Sequence, residues 1–164
     1  MKHLPKILLA LLVAFMLIPA CEVENCPPNA LTYAVFTIKD GTGADVEFSD
    51  EISVIGIMIT DEGEEVCDTL INEEDDVSSM SLSLSYGSVT KFVIVYYGGD
   101  TDTITITHKN IPYFFNVDCG LMMFYEIEDV ETTYYEIDSV VLVNPNIDNN
   151  ETENFYIYYP PVDD

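Results

Sequence analysis

The cysteines and histidines are the residues of this chain that could act as nucleophiles, bind a metal ion or pair with one another. The 164 residues contain two histidines and four cysteines, which are Cys21, Cys26, Cys67 and Cys119. No two cysteines have a CxxC spacing, and no cluster of cysteine and histidine has the spacing of a zinc site. His108 is the only histidine after residue 20. No residue at a suitable spacing would complete a catalytic triad with it, so we expect it to be structural. The sequence predicts no catalytic residue, no metal ligand and no cofactor.

Cys21 is the one cysteine whose surroundings indicate a definite reaction. It directly follows Ala20, and upstream Lys2 and Lys6 precede an apolar run over residues 7–18. This is the layout of a secretory signal that ends in a small residue. The run of 12 residues is too short to span a bilayer, which takes about 20. A cysteine in this place is typical of bacterial lipoproteins, so we expect lipid on Cys21. The alternative is ordinary cleavage with an unmodified thiol. Lipidation would leave three cysteines, of which any two could pair.

The C-terminal part of the chain contains a pattern that resembles a calcium loop. Asn144, Asn146 and Asp148 alternate as the oxygen ligands at positions 1, 3 and 5 of such a loop do. Position 6, however, is Asn149 where the loop needs glycine, and position 12 is Phe155 where it needs glutamate. The sequence therefore excludes an EF-hand.

Acidic stretches and tyrosines offer two weaker kinds of binding chemistry. The stretches 61–65 and 73–76 could gather a cation loosely, or they are simply solvated loops. Tyrosine rings could stack against a sugar. Neighbouring residues of a strand point to opposite faces, so one member each of Tyr96–Tyr97 and Tyr134–Tyr135 is expected in the core. The aromatic run over 155–159 should follow the same rule.

The charge of the chain limits its partners. After residue 20 there are three lysines against 30 acidic residues, a net charge of −27. Such a surface repels nucleic acid. The chain is nevertheless 48% hydrophobic and contains 11 Tyr and 8 Phe, which favours a folded domain over a disordered one. The 144 residues after cleavage are enough for one domain with a real core.

These side chains must be positioned by strands, because apolar residues recur with a period of two. In the clearest segment, 79–86, serines alternate with inward-facing apolar residues, which are Met80, Leu82, Leu84 and Tyr86. Segment 103–108 repeats the pattern, with Ile104 and Ile106 inward. Further β-rich runs are 31–38, 52–60, 90–97, 113–117, 121–127, 132–143 and 154–159.

The fold class follows from the number and spacing of these runs. About eight or nine short strands separated by turn residues predict an all-β domain, an antiparallel β-sandwich of immunoglobulin-like kind. The chain would then divide into a signal peptide (1–20), an anchor linker (21–30), the sandwich (31–159) and a C-terminal tail (160–164).

Several short motifs follow one another in the C-terminal half. In order they are Asp102-Thr103-Ile104, Ile111-Pro112-Tyr113-Phe114, Cys119-Gly120, Thr132 or Thr133, Ile137-Asp138-Ser139-Val140 and Glu153-Asn154. With them the chain resembles, over about 26–159, a family of small Bacteroidetes lipoproteins known only as an uncharacterised domain. Members share one cysteine soon after the lipidated one and another in the CG motif. The resemblance thus implies a Cys26–Cys119 disulfide and leaves Cys67 free, but it implies no activity.

We therefore expect a non-enzymatic, lipid-anchored protein of the cell envelope, a binding or accessory module whose specific role is unknown. It would be held on the outer membrane through Cys21, on the periplasmic or the cell-surface side, with an envelope protein or a glycan as a possible partner and with no nucleic acid. The alternative function is a surface module that binds glycans or cations.

Overall fold

A computed structural model describes Cys26 and residues 31–59, 63–117 and 119–160. The predicted signal peptide, the predicted lipidation residue Cys21 and most of the predicted linker and tail lie outside the described residues.

The described part of the chain contains ten strands and no helix. The strands are β1 (Tyr33–Lys39), β2 (Ile52–Ile59), β3 (Glu65–Glu74), β4 (Ser79–Ser83), β5 (Val89–Tyr96), β6 (Thr101–Asn116), β7 (Gly120–Thr132), β8 (Ser139–Leu142), β9 (Asn146–Ile147) and β10 (Glu153–Tyr158). One sheet has the order β4-β1-β10-β8, and the other has the order β3-β2-β5-β6-β7-β9. The predicted all-β sandwich is confirmed, with ten strands where eight or nine were expected.

The strand pairing is antiparallel with one exception. β1 and β10, the first and last strands, lie side by side in parallel, whereas the other strand pairs of both sheets are antiparallel. Immunoglobulin constant domains have the strand orders ABED and CFG. The likeness to them is therefore one of two-sheet architecture, because the strand order here is different.

The core lies between the sheets and follows the period of two. Every second residue of β5 is buried, and β2 and the first half of β6 alternate in the same way. At the centre Phe36 of β1 stacks on Phe155 of β10, with ring centroids 4.6 Å apart. The same ring meets the edge of Phe92 of β5 across the sandwich at 5.8 Å. Aromatic side chains thus join the two layers.

The alternation predicted for 79–86 ends earlier than the sequence suggests. Met80, Leu82 and Leu84 are buried as expected, but Tyr86 is 73% exposed, so its predicted inward position is wrong. β4 ends at Ser83 because Ser85 turns inward, where its amide donates to the hydroxyl of Thr90. This turn reverses the facing of the residues that follow.

Two further differences have physical causes. The sequence pattern predicts no strand over β3, because this segment lacks alternating apolar residues. It is an edge strand, mostly exposed, in which only Leu70 and Ile71 are half-buried. Conversely, the expected strand over 132–143 is interrupted, since residues 133–138 form a loop between β7 and β8. That loop is held from beneath by a buried carboxylate.

Candidate functional site

β6 connects two ends of the molecule that differ in chemistry. It is 16 residues long, twice the length of its neighbour β5. Asp102 lies near its start and Phe114 near its end, about 40 Å apart at roughly 3.3 Å per residue. The first end contains a buried carboxylate beneath an acidic groove, and the second is an exposed apolar hairpin.

Asp102 is a fully buried carboxylate with an unusually complete set of donors. It accepts five hydrogen bonds, from the Thr133 hydroxyl (2.7 Å), the amides of Tyr135 (2.8 Å), Glu136 (2.8 Å) and Ile137 (3.0 Å), and the Tyr96 hydroxyl (3.1 Å). Three consecutive backbone amides of the 133–138 loop therefore converge on one side chain. Asp102 fixes this loop, and we call the arrangement the Asp102 anchor.

The hydrogen bonds decide the ionisation of the anchor. Burial acts to raise the pKa of Asp102, but the Thr133 hydroxyl and the loop amides outweigh it and hold that pKa below its ordinary value. Burial raises the pKa of Tyr96, and it raises the pKa of Tyr159 to about 12. Both phenols therefore stay protonated, and their oxygens lie 3.3 Å apart. The carboxylate is ionised and saturated with donors, which suits an anchor rather than a general base.

An open groove of about 560 Å³ lies above the anchor. Its apolar walls include the rings of Phe48 and Tyr159, whose centroids are 4.9 Å apart. Acidic residues surround it, namely Asp40, Glu47, Asp50 and Glu136. One of them is already engaged, since Asp40 accepts hydrogen bonds from the amide and hydroxyl of Thr42, which lower its pKa. We call this feature the acidic groove.

The tyrosine pairs proposed for sugar stacking lie at this same end. Tyr96 is buried and Tyr97 is 77% exposed, which confirms the expected division of that pair. For Tyr134–Tyr135 the expectation is wrong, because these residues are 72% and 59% exposed. They belong to the loop, not to a strand, so the alternation rule does not apply. In the aromatic run over 155–159 the alternation is confirmed.

The oxygen atoms of the calcium-like pattern are used to shape a turn. The Asn144 side chain accepts from the amide of Asn146 at 3.1 Å, and Asp148 accepts from the amide of Asn150 at 2.9 Å. Buried Asn154 bonds the carbonyls of Asn144 and Asn146, each at 3.0 Å, and accepts from the β1 backbone. The acidic stretch 73–76 begins at the end of β3, and 61–65 is described only from residue 63. Among the described residues no three acidic, histidine or cysteine side chains are grouped to hold a metal ion.

His108 lies inside the sandwich, on the face of β6 that carries Ile104 and Ile106. Its Nε2 is 2.9 Å from the Thr90 hydroxyl, and its Nδ1 is 3.0 Å from the Asn110 side-chain oxygen. Burial lowers the pKa of His108, and the bond to Asn110 offsets part of this effect. Both ring nitrogens are engaged in hydrogen bonds, which agrees with the expected structural role.

The lowered pKa of His108 predicts a loss of stability in mild acid. The unfolded chain takes up a proton near the ordinary histidine pKa of about 6.5, whereas the folded chain does so only at lower pH. Stability should therefore fall as the pH drops below about 6.5. Melting temperatures measured between neutral and mildly acidic pH should show a steeper fall for the wild type than for His108→Gln. Parallel curves would contradict this assignment.

The β6–β7 hairpin forms the opposite end. Alternating burial continues along β6 to His108 and then stops, so that residues 111–115 are all exposed. These five residues of β6 are therefore not covered by the other sheet, whereas Met122 of β7, which pairs with Tyr113, is buried. Six large apolar side chains, 40–90% exposed, define what we call the apolar hairpin: Ile111, Tyr113, Phe114, Phe115, Val117 and Leu121.

A disulfide ties the chain entry to this hairpin. Cys26 and Cys119 are bonded, with Cα atoms 5.3 Å apart and a sequence separation of 93 residues. This confirms the pairing implied by the family resemblance, and Cys67 is a free, exposed thiol in β3. Gly120, next to the bridge, has a φ of 79°, a conformation that glycine adopts without the strain of a Cβ.

Removing the bridge should destabilise the domain measurably. A cross-link over 93 residues restricts the unfolded chain, and such bridges typically contribute about 2–4 kcal/mol. We expect Cys119→Ser to lower the free energy of unfolding by that amount in urea titrations, and reductant to do the same to the wild type. Cys67→Ser is the control and should behave as the wild type. Insensitivity of the wild type to reductant would contradict the prediction.

A smaller groove lies at the base of the hairpin. Its volume is about 220 Å³, and its walls come mainly from apolar residues, including Leu84, Leu121 and Met123. The Thr32 hydroxyl donates to the carbonyl of Met123 at 2.6 Å. The segment that enters β1 is thus attached to β7 as well as to the hairpin turn.

No helix among the described residues is long and apolar enough to cross a membrane.

Sequence reasoning did not identify Asp102 or Asn154 as structural centres, although both lie in the motifs that carried the resemblance. Asp102 is in phase with Ile104, Ile106 and His108, all of which point inward. This phase was the available signal that a charged residue would be buried. Four of its five donors could not be inferred, since they lie 31 to 35 residues further along the chain.

Comparison with known proteins places these features in a family. No curated protein and no solved structure matches the chain. A model of a family of unknown function, DUF6452, matches residues 51–159, which include the Asp102 anchor, the apolar hairpin and Asn154. Because the match covers well over half of the sequence, the chain belongs to the DUF6452 family of unknown function.

Proposed function

We propose that the protein is a lipoprotein of the Bacteroidetes type, held on the outer membrane by lipid on Cys21. In this proposal residues 1–20 direct export and are removed, and the β-sandwich serves as a non-enzymatic binding or accessory module of the cell envelope. It faces the periplasm or the cell surface.

The Cys26–Cys119 disulfide is the observation that carries the proposal. Disulfides persist in oxidising compartments outside the cytoplasm, to which a secretory signal leads. The bridge and the signal layout are independent features, one of the fold and one of the first 21 residues. Both favour an exported protein.

A non-enzymatic role is favoured by how the reactive side chains are used. The Asp102 carboxylate is saturated by five donors, and His108 has both ring nitrogens bonded within the sandwich. The free Cys67 thiol lies on an exposed edge strand and lines neither groove. The acidic surface disfavours nucleic acid as a partner.

Fractionation of cells tests the proposal. We expect full-length protein to appear in the membrane fraction and Cys21→Ala in the soluble fraction of the envelope. Cys67→Ala is the matched control, since it removes a thiol that the proposal leaves unmodified, and it should remain with the membrane. Retention of Cys21→Ala in the membrane would refute lipid anchoring through this residue.

The second candidate function is a surface module that binds a glycan or a cation. It is favoured by one observation, the coincidence of the acidic groove with exposed Tyr97, Tyr134 and Tyr135 at the same end of the sandwich. Calcium titration and glycan-array binding distinguish it from the first candidate. Under the first candidate we expect no change in melting temperature with millimolar calcium and no glycan signal.

A further inference from the structure

We propose that the apolar hairpin lies against the lipid bilayer that holds the Cys21 anchor. The molecule would then stand with its β6–β7 end on the membrane and its acidic groove directed away from it. This inference rests on the lipid anchor proposed above and adds an orientation and a second contact with the bilayer.

The first observation is the exposure of the apolar hairpin. Beyond His108 the ribbon projects past the other sheet, and Phe114 and Val117 are 62% and 90% exposed. A two-stranded ribbon alone is only marginally stable in water. Contiguous exposed apolar surface on an otherwise polar protein marks a site that contacts another apolar surface.

The second observation is the distribution of charge. Residues 110–125 contain a single charged residue, Asp118, in a chain with 30 acidic residues. Charge returns at the base of the ribbon, where Lys109 and Glu128 form an ion pair at 2.7 Å. Placing this hairpin against a bilayer therefore requires less desolvation of charged groups than placing the acidic groove there.

The third observation is the position of the anchor relative to the hairpin. The disulfide joins Cys26 to Cys119, in the turn between β6 and β7. Cys21 precedes Cys26 by five residues, a length of chain that spans at most about 18 Å when fully extended. The Cα atoms of the bridge are 5.3 Å apart, so a lipid on Cys21 must be attached within about 23 Å of the hairpin turn. This constraint identifies the bilayer, rather than a distant partner, as the occupant.

The side chains suit the boundary between lipid and water. Phe114, Phe115 and Leu121 are apolar, while Tyr113 has an apolar ring with a hydroxyl and stacks on Phe124 at 4.9 Å. Aromatic residues of this kind are enriched at the level of the lipid headgroups. Since the hairpin has no cation, binding should depend on buried apolar area and not on anionic lipid.

A single tryptophan tests the orientation, because the natural chain contains none. Lipidated Phe114→Trp and Tyr97→Trp, both at exposed positions, are purified from membranes and reconstituted in phosphatidylcholine vesicles. With Phe114→Trp we expect a blue shift of the emission and quenching by brominated lipids. With Tyr97→Trp, at the opposite end, we expect neither. Melting temperatures are measured as a control that both variants are folded.

The outcomes separate the two proposals. Protein that does not float with the vesicles contradicts the lipid anchor itself. Protein that floats while the tryptophan of Phe114→Trp remains exposed overturns the inference and leaves the anchor intact. Shielding of that tryptophan in native membranes but not in vesicles also overturns it, since the hairpin would then be covered by a protein partner.

Discussion

Asp102→Ala is expected to lower the free energy of unfolding by about 3–5 kcal/mol. The substitution removes the common acceptor of five donors and leaves the three amides of the 133–138 loop without a partner at their buried side. A buried donor left unpaired costs about 1–3 kcal/mol, although the loop would recover part of this by opening to water. Urea unfolding measures the change.

The conservative change Asp102→Asn should be destabilising as well. Both carboxylate oxygens accept backbone amides, so either orientation of the asparagine amide would place its NH₂ against another N–H. Asp129→Ala is the control, because this residue of β7 is exposed, and its loss should change stability by less than about 0.5 kcal/mol. Equal effects of Asp102→Ala and Asp129→Ala would contradict the anchor.

The Asp102 contribution should also depend on pH. The pKa of this carboxyl is lower in the folded protein than in the unfolded chain. Its contribution is therefore complete above the ordinary aspartate pKa of about 3.9, and it is lost as the pH falls through the lowered folded value. The difference in stability between wild type and Asp102→Ala should shrink in strong acid.

Phe36→Ala should be comparably severe, at about 3–5 kcal/mol. Phe36 is fully buried, stacks on Phe155 within its own sheet and meets Phe92 of the other sheet, so its loss leaves a cavity between the layers. The matched control is Phe114→Ala, which removes the same side chain from an exposed site and should have a small effect. Similar losses of stability in urea titrations would mean that the core is not where the structure places it.

Much of the fold could be predicted from local alternation. Ile104, Ile106, Leu82 and Met80 point inward as their spacing indicates, because a strand with one buried face imposes a period of two. The same rule failed where the chain leaves the strand, at Tyr86 and in the loop with Tyr134. β3 was missed because an exposed edge strand needs no apolar alternation.

The two ends of the molecule could be predicted only in part. The sequence indicated strands over 113–117 and 121–127, and the family resemblance implied the bridge from Cys26. Alternation indicates which residues share a face, but it does not say whether another sheet covers that face. The exposure of the apolar hairpin depends on where the second sheet ends, and the Asp102 anchor depends on a loop distant in sequence. Neither is a local property.

The central claim, a β-sandwich anchored by lipid on Cys21, is tested most directly by the intact mass of protein extracted from native membranes. We predict a chain that begins at Cys21 and has the additional mass of acyl chains, located on that residue by peptide fragmentation. A chain that begins at Cys21 without acyl mass, or one that retains residues 1–20, would contradict the claim.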